Sequence, residues 1–126
     1  MKECLSTDKA PAPVGSYSQA VRAGNLVFVS GQIPLVPDSM RMVEGRIGEQ
    51  THQALRNVQA IVESAGGTLA DVVKTTIYVT DLADFGIVNE IYKTYFPESP
   101  PARAAVEVAA LPKGSLIEIE AIALIG

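Results

Sequence analysis

The segment SLIEIEAIALI (115–125) alternates between apolar and acidic residues at its centre, from Ile117 to Ala121. One set of alternate positions is apolar and the other carries two acidic residues: Ile117, Ile119 and Ala121 against Leu116, Glu118, Glu120 and Ile122. A period of two is typical of a β-strand with one buried face. Because a slip of one residue would turn both glutamates into the core, the register of this strand is strongly specified.

The rest of the chain predicts four more strands and two helices. Strands are expected at 16–23, 25–31, 72–80 and 102–109, the first two around a tight turn at Gly24-Asn25. Helical spacing of apolar residues predicts a first helix over 49–67, which ends at a glycine pair. A second helix begins with Asp81 as its N-cap and ends before Pro97. Residues 1–14 are expected to form an extended arm and 32–48 a loop.

The predicted order ββαβαββ indicates an α/β fold formed by one domain, residues 1–126. Two helices and a mixed sheet suggest that both helices pack on one face of the sheet. The other face would be bare in a monomer. Hydrophobic residues make up 48% of the chain, which is more than one small core requires, so we expect an oligomer.

Composition disfavours several classes of function. The net charge is −4 and the ten Lys and Arg residues are not clustered, so no nucleic-acid partner is expected. No apolar run is long enough to span a membrane, and the polar N-terminus does not resemble a secretion signal, which predicts a cytoplasmic protein. Cys4, the single cysteine, cannot form an internal disulfide. The only histidine, His52, falls on the polar face of the first helix and is expected to be solvated. We therefore expect neither a metal nor a cofactor.

The last two predicted strands suggest a chemical site. If 102–109 and 115–125 form a hairpin around the turn LPKG, pairing their apolar faces places four side chains on the face without helices: Arg103, Ala105, Glu118 and Glu120. The guanidinium of Arg103 could bind a small carboxylate through two parallel hydrogen bonds. Glu118 could act as a general base. An exposed sheet face with ordinary cross-strand ion pairs remains an alternative.

Four other residues are weaker candidates, each with an ordinary structural interpretation. Tyr17 lies at the start of the first predicted strand, where a half-buried aromatic is common. Ser30 and Gly31 end the second strand, where a turn is the usual reason for glycine. Asn89 lies at the edge of the apolar stripe of the second helix, as many polar boundary residues do.

The run PPARAAVEVAALPKGSLIEIEAIA (100–123) closely resembles the signature of the RidA/YjgF family. Further resemblance lies in VGSYSQAV (14–21), VFVSGQIP (27–34), EQTHQALRNVQAIVESAG (49–66) and VVKTTIYVTDLADFGIVNEIYKTYF (72–96). The resemblance implies a chorismate-mutase-like fold and a homotrimer with active sites between subunits. It also implies an enzyme that hydrolyses 2-imino and 2-enamino acids, such as 2-iminobutanoate and 2-iminopropanoate, to 2-keto acids.

The same resemblance implies roles for individual residues. Arg103 would bind the substrate carboxylate and Glu118 would activate the attacking water. Tyr17 would close the cleft, Asn89 would support it, and the backbone of Ser30 and Gly31 would line it. Many deaminase-active relatives carry Cys where this chain has Ala105, so the backbone amide there would have to serve in place of a thiol.

Two other functions stay open. One is a regulatory module that binds keto acids without turnover, which Ala105 leaves plausible. The other is RNA cleavage or translational inhibition, an activity ascribed to some members of the family. The acidic charge and the lack of a catalytic histidine argue against this second alternative.

Overall fold

The computed structural model describes residues 1–126 and contains six strands and two α-helices. The strands are β1 (Lys2–Leu5), β2 (Ala20–Ala23), β3 (Leu26–Gln32), β4 (Val72–Val79), β5 (Ala102–Glu107) and β6 (Ile117–Leu124). The helices are α1 (Ile47–Ser64) and α2 (Phe85–Tyr95). Single 3₁₀ turns occupy Leu69–Asp71, Leu82–Asp84 and Pro112–Gly114. The predicted α/β fold with two helices and a mixed sheet is confirmed, with one strand more than expected.

All six strands form one sheet in the order β1-β2-β3-β6-β4-β5. Every neighbouring pair is antiparallel except β4 and β5, which are parallel because α2 connects them as a crossover. The predicted hairpin of the last two strands is therefore wrong, since β4 lies between β5 and β6. β5 forms an edge of the sheet and β6 lies near its centre.

Both helices pack on one face of the sheet and form the core there. The apolar stripe of α1 is buried as predicted, and Leu55, Val58 and Val62 have no exposed surface. The odd-numbered residues of β6, Ile117 to Ala123, meet this stripe and are also buried. Neither helix is long and apolar enough to cross a membrane.

The opposite face of the sheet has no helix over it, as the element order predicted. Phe28, Val106 and Leu124 lie on this face and keep 43%, 40% and 47% of their surface exposed. Glu118 lies on the same face, because the even-numbered residues of β6 alternate with the buried odd ones. A single chain thus leaves apolar side chains uncovered on the same face as a glutamate.

The N-terminal segment differs from its predicted form. Residues 2–5 pair with β2 as an edge strand, whereas β2 itself begins only at Ala20. The buried Gln19 explains both differences, because its side-chain amide bonds to the backbone of Thr7, Ala10 and Pro11. These bonds hold the arm against the sheet and leave 16–19 as a loop.

Candidate functional site

A β-bulge places Glu118 against the end of β3. Pairing between β3 and β6 passes from Val29 opposite Ala121 to Gln32 opposite Ile119, so two residues, Ser30 and Gly31, occupy the space of one. Bulges of this kind redirect side chains and are frequent beside active sites. A Cβ added at Gly31 would overlap the Glu118 carboxylate. Glycine is required here because the carboxylate lies directly against the backbone.

A cavity of about 420 Å³ opens in front of this bulge, and we call it the Glu118 cavity. Its lining includes Tyr17, Ser30, Gly31, Lys113 and Glu118. Tyr17 lies in the loop before β2 rather than on a strand, and its hydroxyl oxygen accepts a 3.3 Å hydrogen bond from the backbone N–H of Val14. Ser30 is fixed because its hydroxyl donates to the carbonyl of Ser18 at 2.6 Å.

The Glu118 carboxyl lies in an environment that disfavours its ionised form. Partial burial raises the pKa of Glu118 above its ordinary value, and the neighbouring Glu120 carboxylate adds to the rise. A raised pKa makes a carboxylate a stronger base, so proton transfer from a water molecule becomes easier. Among the four residues with perturbed pKa values, Glu118 is the only one with a carboxyl group whose pKa is raised.

Arg103 lies on β5 and points toward α2. It is paired with Thr75 of β4, a buried residue on the helix-covered face. Its Nη1 donates to the side-chain oxygen of Asn89 at 2.8 Å. Its Cζ lies 5.0 Å from the ring centre of Phe85 and 4.9 Å from that of Tyr92. The other N–H groups of the Arg103 guanidinium have no hydrogen-bond partner in the chain.

A second cavity of about 400 Å³ lies beside this guanidinium, and we call it the Arg103 cavity. Asn89, Tyr92, Pro101 and Arg103 are among its lining residues. Ala105 follows Arg103 by two residues on β5 and therefore lies on the same face, where it is half-buried opposite Ile77. The structure thus brings Arg103 and Asn89 together as a pair able to hold a small anion.

The two cavities lie on opposite faces of the sheet. Arg103 is on the face that α2 covers, whereas Glu118 is on the bare face. The prediction that both share one face is wrong, because it depended on a hairpin that β4 interrupts. As an edge strand, β5 is exposed along most of its length, so burial did not determine its orientation. One chain by itself does not bring the guanidinium and the carboxylate together.

The prediction that His52 is solvated is also wrong. The residue is half-buried between the helices, where its Nδ1 lies 2.9 Å from the hydroxyl of Tyr95 at the end of α2. The rings are 5.7 Å apart. The pair links α1 to α2 and lines neither cavity.

Sequence reasoning missed several residues that shape the cavities. Asn57, which is buried on α1, donates to the carbonyls of Ile33 and Leu35, and Ile33 lines the Glu118 cavity. Gln50 accepts from the N–H of Leu116, two residues before Glu118. Amide side chains within an otherwise apolar helical stripe were the available signal, since buried amides need partners.

Comparison with known proteins identifies the family. A family model described as Endoribonuclease L-PSP matches residues 7–125. A rat protein named 2-iminobutanoate/2-iminopropanoate deaminase is 54% identical over 126 residues, which are all of this chain and 92% of the rat protein. The chain belongs to the RidA/YjgF family. The expected membership is thereby confirmed.

Solved structures of RidA/YjgF proteins agree closely with this fold. RidA from an Antarctic Psychrobacter has a TM-score of 0.95 and 51% sequence identity, covering 98% of this chain and 99% of that chain. E. coli TdcF with bound serine has a TM-score of 0.94 and 41% identity, covering 98% and 99%. The six-stranded sheet with two helices is therefore the RidA/YjgF fold over the whole chain.

Proposed function

We propose that this protein is an enzyme that hydrolyses 2-imino and 2-enamino acids, such as 2-iminobutanoate and 2-iminopropanoate, to 2-keto acids and ammonia. Full-length relatives that carry this name from rat and human, at 54% and 50% identity, support the proposal. The observation that carries it is a guanidinium with free donors beside one cavity and a carboxylate with a raised pKa beside another.

Arg103 would recognise the substrate carboxylate. Its Nη1 is engaged by Asn89, whereas its Nε and Nη2 have no partner and form one edge of the guanidinium. That edge matches the two oxygens of a carboxylate through parallel charge-assisted bonds. Serine bound to TdcF has the same carboxylate beside a nitrogen-bearing carbon, which supports a small amino-acid-like ligand.

Glu118 would accept a proton from water as the oxygen attacks C2 of the protonated imine. A new C–O bond forms and the C=N π electrons move to nitrogen, giving a carbinolamine. Glu118 then returns the proton to the amine, and the C–N bond breaks as the hydroxyl oxygen forms the C=O bond. The hydroxyl proton passes to Glu118 and from there to the departing ammonia, which leaves as ammonium. An enamine such as 2-aminoacrylate enters this route after protonation at its terminal carbon. Orienting the water contributes most, since a protonated imine is already electrophilic.

The complete site would form between subunits of a homotrimer. The Arg103 cavity of one protomer would face the Glu118 cavity of the next, since the two lie on different faces of each chain. Contacts between two different surfaces propagate head to tail, and they form a ring when the rotation between neighbours closes. The uncovered apolar residues on the same face as Glu118, Phe28 and Leu124 among them, would be buried in such a ring.

The other candidate residues would complete this site. Tyr17, which is 50% exposed at the rim of the Glu118 cavity, would close over the substrate. Ser30 and Gly31 would present backbone groups at the bulge, and Asn89 would hold the guanidinium. Ala105 offers no thiol, so only its backbone amide could contact the substrate.

The direct test is turnover. A dehydratase acting on serine would supply 2-aminoacrylate, and formation of pyruvate would be followed with and without this protein. We expect a rate above that of spontaneous hydrolysis, lowered by about a hundredfold in Arg103→Ala because two charge-assisted bonds are lost. Arg56→Ala is the matched control, since Arg56 is exposed on α1 and makes no side-chain hydrogen bond. A wild-type rate equal to the spontaneous one would refute the proposal.

The family description also names endoribonucleases, so RNA is the second candidate substrate. The chain carries a net charge of −4 and no cluster of basic residues, which disfavours binding to phosphates. Cleavage of single-stranded RNA that survives Glu118→Gln, together with no effect on 2-aminoacrylate, would favour this candidate instead.

A further inference from the structure

Arg103 is held more firmly than an exposed residue on an edge strand would be by itself. Its guanidinium lies over two aromatic rings of α2, those of Phe85 and Tyr92, at 5.0 and 4.9 Å. Asn89 of the same helix accepts its hydrogen bond. The three helix residues are spaced four and three positions apart, which places them on one side of α2.

Tyr92 is itself fixed by a second contact. Its hydroxyl lies 2.7 Å from the hydroxyl of Thr75, which is only 1% exposed. Thr75 is the residue of β4 directly opposite Arg103. The ring of Tyr92 also packs at 4.6 Å against that of Phe96. A closed path of contacts therefore runs from β4 through α2 to the guanidinium on β5.

We propose that Phe85, Tyr92 and Thr75 are positioning residues that preorganise Arg103 for the carboxylate. The inference rests on the proposed function, in which Arg103 binds that group. A free arginine side chain loses much rotational freedom when it is immobilised. Cation–π contact with two rings and the bond to Asn89 remove that freedom before the substrate arrives. They also leave the Nε and Nη2 edge free.

The experiment compares binding with turnover. Calorimetry with 2-ketobutyrate gives Kd, and the 2-aminoacrylate assay gives KM and kcat. In Phe85→Leu we expect Kd and KM to rise about fivefold while kcat changes less than about twofold, because only the orientation of the carboxylate ligand is lost. Tyr92→Phe and Thr75→Val each remove one hydroxyl of the buried pair, and a rise of about twofold to threefold is expected.

The matched control is Tyr95→Phe, which also removes a hydroxyl from α2 but one that contacts His52 instead of Thr75. It should leave Kd and KM unchanged. Phe85→Leu is repeated in an Arg103→Lys background, where the planar stacking partner is absent. There its effect on Kd should fall below about twofold, because the ring would have nothing to position.

The outcomes separate this inference from the proposed function. If Arg103→Ala leaves Kd and KM unchanged, the proposed function fails. If Arg103→Ala weakens binding but Phe85→Leu, Tyr92→Phe and Thr75→Val do not, only the positioning role fails. An equal effect of Phe85→Leu in both backgrounds, or a fall in kcat with constant KM, would indicate a structural role and overturn the inference. Should Phe85→Leu not fold, the two hydroxyl variants decide.

Discussion

Two inactive variants of this protein should restore each other when they are assembled together. In the proposed mechanism, Arg103→Ala removes the group that binds the carboxylate and Glu118→Gln removes the base, so each variant alone would have no complete site. The structure places the two residues on opposite faces of one sheet, so the proposed site would take them from different chains. A mixed assembly then contains some interfaces at which one chain supplies an intact Arg103 and its neighbour supplies an intact Glu118.

The expected magnitude follows from the order of chains in the ring. In a three-membered ring that contains both variants, only one interface in three joins an intact Arg103 to an intact Glu118, so activity should be about one third of wild type. A two-membered assembly would give about one half by the same argument. If both residues acted within one chain, every mixture would stay inactive.

The assay requires assemblies of known composition. The two variants are co-expressed with different affinity tags and purified over both resins, so that every assembly contains each variant. Turnover of 2-aminoacrylate per protomer is then compared with wild type and with each variant alone. The double variant Arg103→Ala/Glu118→Gln, co-assembled with wild type, is the control for damage to assembly. Activity at the level of the single variants, with intact mixed assemblies, would refute the intersubunit site.

Three further predictions concern Glu118. Gly31→Ala should lower kcat by about a hundredfold with little change in Tm, because the added Cβ displaces the Glu118 carboxylate. Glu120→Gln removes a negative charge that raises the pKa of Glu118, so the acid limb of the kcat/KM profile should move to lower pH; an unmoved limb would exclude Glu118 as the titrating base. Glu118→Gln should raise Tm at pH 8. The pKa of Glu118 is raised in the folded state, so ionisation of its carboxyl at higher pH destabilises the folded protein, and glutamine does not ionise. The Tm difference should vanish below about pH 4, where the wild-type carboxyl is protonated in both states.

Local patterns predicted most of the fold. The alternation over 115–125 and the apolar stripe of the first helix each specify a buried face within a few residues, and both faces are buried as expected. β1 gave no such signal, because a four-residue edge strand that is mostly exposed needs no apolar pattern. Its position depends on pairing with β2 and on Gln19, a contact across the chain that spacing does not reveal.

The members of the candidate site were proposed from the sequence and stay a prediction, whereas their expected arrangement on one face was wrong. Tyr17, Ser30, Gly31 and Glu118 line one cavity, and Arg103 meets Asn89 at another. The arrangement was mispredicted because strands that are neighbours in the sequence were assumed to pair in the sheet. Phe85 and Tyr92 have the helical spacing of core aromatics, and nothing in that spacing distinguishes a core aromatic from one that contacts a guanidinium.

The strand order that rules out the hairpin is also the basis for proposing a site between chains. Glu118 faces the bare side because turning β6 over would bury its two glutamates and expose the core. Arg103 faces α2, where Asn89 and two aromatic rings hold it, so the sheet lies between the two groups in each folded chain. Catalysis by the proposed route therefore requires assembly, and specific activity should fall on dilution at the concentration where protomers separate.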